Sequence, residues 1–293
     1  MRSAFISCIL LLFTLSACRN KPEPAEEHFK YEEIKTVNRE IREVIYSMYL
    51  PTDLANLFSD AGTNYDPTVP APISDITMYN NPEQIALMLG IYGVDLTYMK
   101  LLGQTIAAAQ YYKIIETLSE KIGMPEAIFE KSSRQLERYI NNEDSLNAVI
   151  DNIYRETDYH FRNNGQDNLA ALTLTGGWVE AMYIGIEIFK ADSGNHTMAE
   201  NLLQQKYSLN SLYTILSNHQ ESLKVKEYLL MLKKLRKVYE KVEIMYQKEG
   251  FSVDTSSKKI QTYNSLIRYN EQTITDLVKT IPLIRETMIT STE

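Results

Sequence analysis

The sequence predicts an all-α protein: a multi-helix bundle of about eight to ten helices with no sheet, built as one body or as two fused four-helix units after an N-terminal helix. Three observations carry this. Apolar residues recur three and four apart along most of the chain, the spacing of a helix face, and no stretch sustains the alternation of a half-buried strand. Helix punctuation then divides the chain, with Asn81-Pro82 as a start and Gly103, Gly123 and Gly165 as stops.

The fold is organised around Leu169 to Phe189, LAALTLTGGWVEAMYIGIEIF, in which Glu180 and Glu187 are the only charges. A helix without a polar face must be covered on every side. Gly176, Gly177 and Gly185 each weaken it by about 1 kcal/mol relative to alanine, which suggests close backbone approach.

From the N-terminal side, Ile34, Val37, Ile41, Val44 and Met48 mark an amphipathic helix over 29–50, stopped by Pro51. Gly62 to Asn81, with Pro67, Pro70 and Pro72, is a long loop, a surface wrap or a lid. Helices follow over 82–102, 104–122, 124–140 and 144–164, and the central helix begins at Asp167. Thr197 with Glu200 forms a capping box for the next helix, to Asn218. Another is expected over 222–249 and ends at Gly250. Residues 251–257 read as irregular, and a last helix runs over 260–288 with a kink at Pro282.

Displacing the chain by 85 residues lays Leu87, Leu89, Val94, Asp95 and Tyr98 on Leu172, Leu174, Val179, Glu180 and Tyr183. This weak pattern is consistent with a duplication, and it gives units over 28–165 and 166–293. Small residues on both apolar helices, Gly90 and Gly93 on one and Gly177, Ala181 and Gly185 on the other, predict that the two helices pack together. Trp178 is expected to be buried near Gly90 or Gly93.

Met1-Arg2 and the apolar run Ala4 to Leu15 fit a signal-peptide core, too short to span a bilayer as a stable helix. The run ends in Leu15-Ser16-Ala17-Cys18, which resembles the lipobox of bacterial lipoproteins. That resemblance implies removal of residues 1–17 and lipid, including palmitate, on Cys18. Two or three acyl chains anchor firmly where one does not. The polar stretch Arg19 to Glu27, RNKPEPAEE, then reads as a tether over 18–27 that reaches about 30 Å. Arg19 in place of aspartate after the cysteine points to the outer membrane by the sorting rule of some bacteria. Cys8 falls in the removed segment, so no disulfide framework is expected.

A formal charge of −8 argues against nucleic acid as a partner. After the signal, no run of 18 apolar residues lacks charge, so no transmembrane helix is expected. Motifs for serine hydrolysis, zinc proteolysis, haem attachment, phosphate cradling and calcium binding do not occur, so neither enzyme activity nor cofactor is expected. The helical lipoprotein plan resembles the imelysin-like proteins, but their G-x-H-x-x-E motif is missing and their function is not carried over. Glu156 with His160, and His196 with Glu200, are four apart on helix faces, yet two ligands alone do not make a metal site.

Asp95 and Glu180 are the candidates for chemistry. Each is an acid within an apolar helix and must be paired, hydrogen-bonded or neutral. With Trp178 as a stacking wall they could line a ligand pocket under the 62–81 loop, or they could be structural contacts that fix helix register. Paired-acid catalysis would need the two carboxyls about 5–10 Å apart in a solvent-reachable cleft. Lys224, Lys226, Lys233, Lys234, Arg236, Lys237 and Lys241 make one helix basic. It reads either as a solvated face of exposed ion pairs or as a face toward anionic headgroups. The functional expectation is a lipid-anchored envelope protein that binds or scaffolds without catalysis, its partners the membrane through Cys18 and an envelope protein or small ligand.

Overall fold

The computed structural model describes residues 65–73, 76–139, 143–246, 251–254, 259–262 and 265–290, all within the compact unit Glu40–Glu293. The lipobox, the tether and the helix expected over 29–50 lie outside these residues. Over the described residues the protein is an all-α multi-helix bundle. The helices are α1 (Pro82–Leu101), α2 (Thr105–Lys121), α3 (Glu126–Tyr139), α4 (Glu143–Asn163), α5 (Asp167–Ala191), α6 (His196–Gln204), α7 (Lys206–Leu216), α8 (Leu223–Tyr239) and α9 (Glu271–Thr290).

Helix ends follow local chemistry. Asn81 caps α1, its side chain accepting from the Glu83 amide, with Pro82 in the first turn as predicted. The turns after α1, α2 and α4 pass through Gly103, Gly123 and Gly165 at φ 69°, 77° and 68°, a left-handed conformation that needs no Cβ. The start of α6 differs from expectation. Its cap is Asn195, which accepts from the Met198 amide, so Thr197 already lies inside the helix.

α1 and α5 form the centre, covered on nearly all sides and packed against each other more extensively than any other pair. A Cβ on Gly90 would sit 2.0 Å from the Thr173 carbonyl oxygen, and one on Gly176 would sit 2.1 Å from that of Leu87. The two backbones touch at this crossing, which only glycine permits. The two apolar helices pack together as expected, with Gly90 facing Gly177, but Gly185 faces Leu202 and Met198 of α6 instead, and Trp178 does not fill the crossing. Small residues meet small residues at Gly90, and the notch at Gly93 is filled by the Tyr154 ring of α4. α1 and α5 also begin 85 residues apart, the displacement of the weak repeat. The units expected over 28–165 and 166–293 share one continuous core.

Around this pair, α2 lies on α1, whereas α4, α6, α7 and α9 lie on α5. α8 closes the bundle against α7 and α9. By length and composition α5 could cross a membrane, contrary to the sequence count, but 89% of its apolar window is buried within the fold.

The expectation of no sheet fails between α8 and α9. β1 (Glu243–Tyr246) pairs antiparallel with β4 (Ser265–Arg268), and β2 (Phe251–Asp254) with β3 (Lys259–Thr262), one ladder nested inside the other in sequence. α8 accordingly stops at Tyr239 rather than 249, and α9 starts at Glu271 rather than 260. Each strand is four residues long, too short for a period of two to stand out from helical spacing, and Glu243–Tyr246 and Ser265–Arg268 do not alternate at all.

Candidate functional site

Asp95 and Glu180 sit near the middle of α1 and α5, and both are fully buried. The helix pairing sets their carboxyl groups close enough for the charge of Glu180 to act on Asp95. The cation that answers them is Arg285 of α9. Its Nε donates to Glu180 Oε2 at 2.6 Å and its Nη2 donates to Oε1 at 2.7 Å, a two-pronged pair inside the protein. The guanidinium also lies 3.9 Å over the Tyr183 ring.

The 65–73 segment closes this cluster as an inner strap. Val69, Pro70 and Ala71 are buried. The Ala71 amide donates to Asp95 Oδ2 at 3.0 Å, and the Val69 carbonyl accepts from Arg285 Nη2 at 3.0 Å. Tyr111 donates to the Ala71 carbonyl at 2.5 Å, and Tyr92 to the Pro72 carbonyl at 3.2 Å. Tyr98 accepts from the Asp66 amide at 3.4 Å and packs on Tyr65. Where sequence left a choice between surface wrap and lid, the described part of the loop is anchored through its backbone to the buried charges.

Two carboxyls and one guanidinium leave one negative charge too many for an interior without water. Burial, and then the Glu180 charge and hydrogen bond, push the Asp95 carboxyl well above its usual range, outweighing Arg285 and the Ala71 amide. Asp95 Oδ1 has no donor, whereas a protonated Oδ1 can itself donate to Glu180. Burial opposes the Arg285 charge, but Glu180 and then Asp95 leave its pKa raised. Burial, followed by the Asp95 charge, raises Tyr111 and Tyr154 as well. The cluster is a Glu180–Arg285 ion pair beside an Asp95 carboxyl that holds its proton more tightly than a free one.

Trp178 is buried but stands apart from this cluster. Two residues from Glu180, it lies about 200° round the helix, and its Nε1 donates to Gln205 Oε1 between α6 and α7 at 3.3 Å. The structure thus joins Asp95 to Glu180 and separates both from Trp178. Neither described cavity is lined by any of the three: one is a small apolar void of about 30 Å³ beside Gly93, the other an open polar recess of about 520 Å³ at the starts of α1, α5 and α8. A ligand at Asp95 would require the strap to lift. The two carboxyls are neighbours, but the solvent-reachable cleft that paired-acid catalysis also needs is not found at the pair among the described residues. No group of three metal-ligating side chains occurs among the described residues either.

No family model, curated protein or solved structure matches the chain.

Sequence reading missed Arg285, although a signal was there. Ile274, Leu277, Ile281 and Met288 mark the buried stripe of α9, and Arg285 falls on that stripe four residues after Ile281. Two acids inside apolar helices demand a cation on some other apolar face.

Asp95→Asn tests the charge state. An asparagine accepts from the Ala71 amide and donates to Glu180 with no proton to lose. In the wild type the raised Asp95 pKa means that, above about pH 4, the native chain holds a proton that the unfolded chain has released. Stability then falls with rising pH by at most about 1.4 kcal/mol per unit until Asp95 itself titrates. Urea denaturation across that range is expected to show Asp95→Asn gaining on wild type as pH rises. A pH-independent difference would mean that Asp95 is ionised in the fold.

Proposed function

We propose that this chain is a lipid-anchored protein of the bacterial envelope, most consistent with the outer membrane, that acts as a non-enzymatic binding or scaffold protein. The observation that carries the reading is Leu15-Ser16-Ala17-Cys18 at the end of an apolar run, followed by a polar tether. The interior supports the non-catalytic part. Its paired acids are closed by the chain's own strap, and each faces a protein partner: the Ala71 amide for Asp95, Arg285 for Glu180. A buried network of this kind holds helices in register.

Metabolic labelling with palmitate is expected to mark the protein and to fail with Cys18→Ser, which also releases it from the membrane fraction. Crosslinking in intact cells is expected to recover a specific envelope protein. An unlabelled wild-type chain would overturn the anchor, and a crosslinking experiment without a specific protein would overturn the scaffold role.

A further inference from the structure

The helix α8 presents two faces. Val225, Tyr228, Leu229, Leu232, Leu235 and Tyr239 point into the core. Opposite them, Lys226, Leu230, Lys233, Lys234 and Lys237 are all exposed. At about 100° per residue these five fall within an arc of roughly 100° with Leu230 near its centre. Leu230 is 62% exposed, and Leu223, 80% exposed, lies on the same arc one turn beyond Lys226.

Two other cations of this region are engaged. Arg236 donates to Asn210 Oδ1 at 2.8 Å and stacks over Tyr213, and Lys241 reaches Asp276 at 3.4 Å. By contrast, Lys226, Lys233, Lys234 and Lys237 have no ion-pair partner among the described residues. Two exposed acids, Glu227 and Glu240, flank the arc about 20° beyond its two edges. The exposed ion pairs expected of this helix are therefore not made by these four lysines. In a protein of formal charge −8, four ammonium groups with no ion-pair partner among the described residues surround an exposed leucine.

We propose that this face of α8 docks on an anionic phospholipid bilayer. A soluble anion would satisfy the lysines and leave Leu230 and Leu223 in water. A bilayer surface takes both, with phosphate headgroups around the ammoniums and the acyl boundary under the leucines. The stems of the lysines add apolar cover while their charges stay at headgroup level. The inference rests on the anchored reading, because a tethered body meets the bilayer at high effective concentration, so a modest face suffices. Docking would hold the body flat on the membrane and set which of its other surfaces a partner can reach.

The test uses the acylated protein on vesicles of neutral phosphatidylcholine, or of the same lipid mixed with phosphatidylglycerol. Chemical acetylation followed by mass spectrometry reads each lysine, with exposed Lys131 on α3 as reference. Mixed vesicles are expected to slow labelling of Lys226, Lys233, Lys234 and Lys237 by roughly fivefold or more relative to Lys131, the scale set by one ammonium at an anionic surface. High salt should remove the protection. Leu230→Asp should remove it with all four lysines in place, and its unchanged circular dichroism would show that the fold is intact. Equal labelling on neutral and mixed vesicles would overturn the proposal, as would protection that survives Leu230→Asp. Failure of the anchor reads out separately, as a protein that does not sediment with neutral vesicles at all.

Discussion

Arg285→Ala is expected to destabilise the protein by about 3–5 kcal/mol, because it leaves a buried carboxylate without its counter-charge. Glu180 is fully buried and receives both of its hydrogen bonds of known geometry from this one side chain. Truncation would also strip the Val69 carbonyl of its donor and so loosen the strap. The loss belongs to the orphaned charge rather than to the pair. Replacing both partners by apolar residues, as in Glu180→Leu with Arg285→Met, is therefore expected to cost less than Arg285→Ala alone. Denaturant unfolding followed by tryptophan emission measures the three proteins. A loss under about 1 kcal/mol for Arg285→Ala would place the pair among exposed ion pairs and contradict its burial.

Trp178→Ala is expected to cost a similar amount, about 3–5 kcal/mol, for a different reason. The ring is 1% exposed and is the largest fully buried side chain among the described residues. Its removal would leave a cavity between α5 and the α6–α7 joint, where Gln205 sits. Trp178→Phe keeps most of the apolar contact and loses the Nε1 hydrogen bond to Gln205, at a cost nearer 1 kcal/mol. Trp178 is the only tryptophan in the chain, so emission reports this site alone. The native protein is expected to emit at the blue end of the tryptophan range and to shift red on unfolding. Water-like emission from the native protein would contradict the burial.

The bundle was legible because its signals are local. An all-round apolar run needs cover on every side, and Asn81-Pro82, Gly103, Gly123 and Gly165 mark helix ends within a few residues of themselves. Asp95 and Glu180 were legible as a problem, two acids where burial forbids free charge. Their solution was not, because Arg285 is 105 residues from Glu180 and only the fold connects them. The Trp178 placement failed because facing small residues can close on each other rather than wait for a large one. At Gly90 and Gly176 the backbones took the space, and Tyr154 took the notch at Gly93. The β-strands were missed because Lys259–Thr262 holds a single apolar residue and Ser265–Arg268 sets its two apolar residues side by side, too little to contradict a helical pattern that resumes just after them.

The span of the strap's hydrogen bonds bears on how the chain folds. Val69 and Arg285 are 216 residues apart, and Gln84 reaches the Met288 carbonyl across 204. Contacts this distant pay their loop-closure entropy before they return any stabilisation, so they form late. In a chain made from the N-terminus, Asp95 and Glu180 exist long before the residue that balances them. Until α9 arrives, a collapsed interior would hold an uncompensated charge, which penalises early closure of α1 on α5. Because the counter-charge of Glu180 comes from α9, loss of α9 is expected to be a failure of folding rather than a shortening of the bundle.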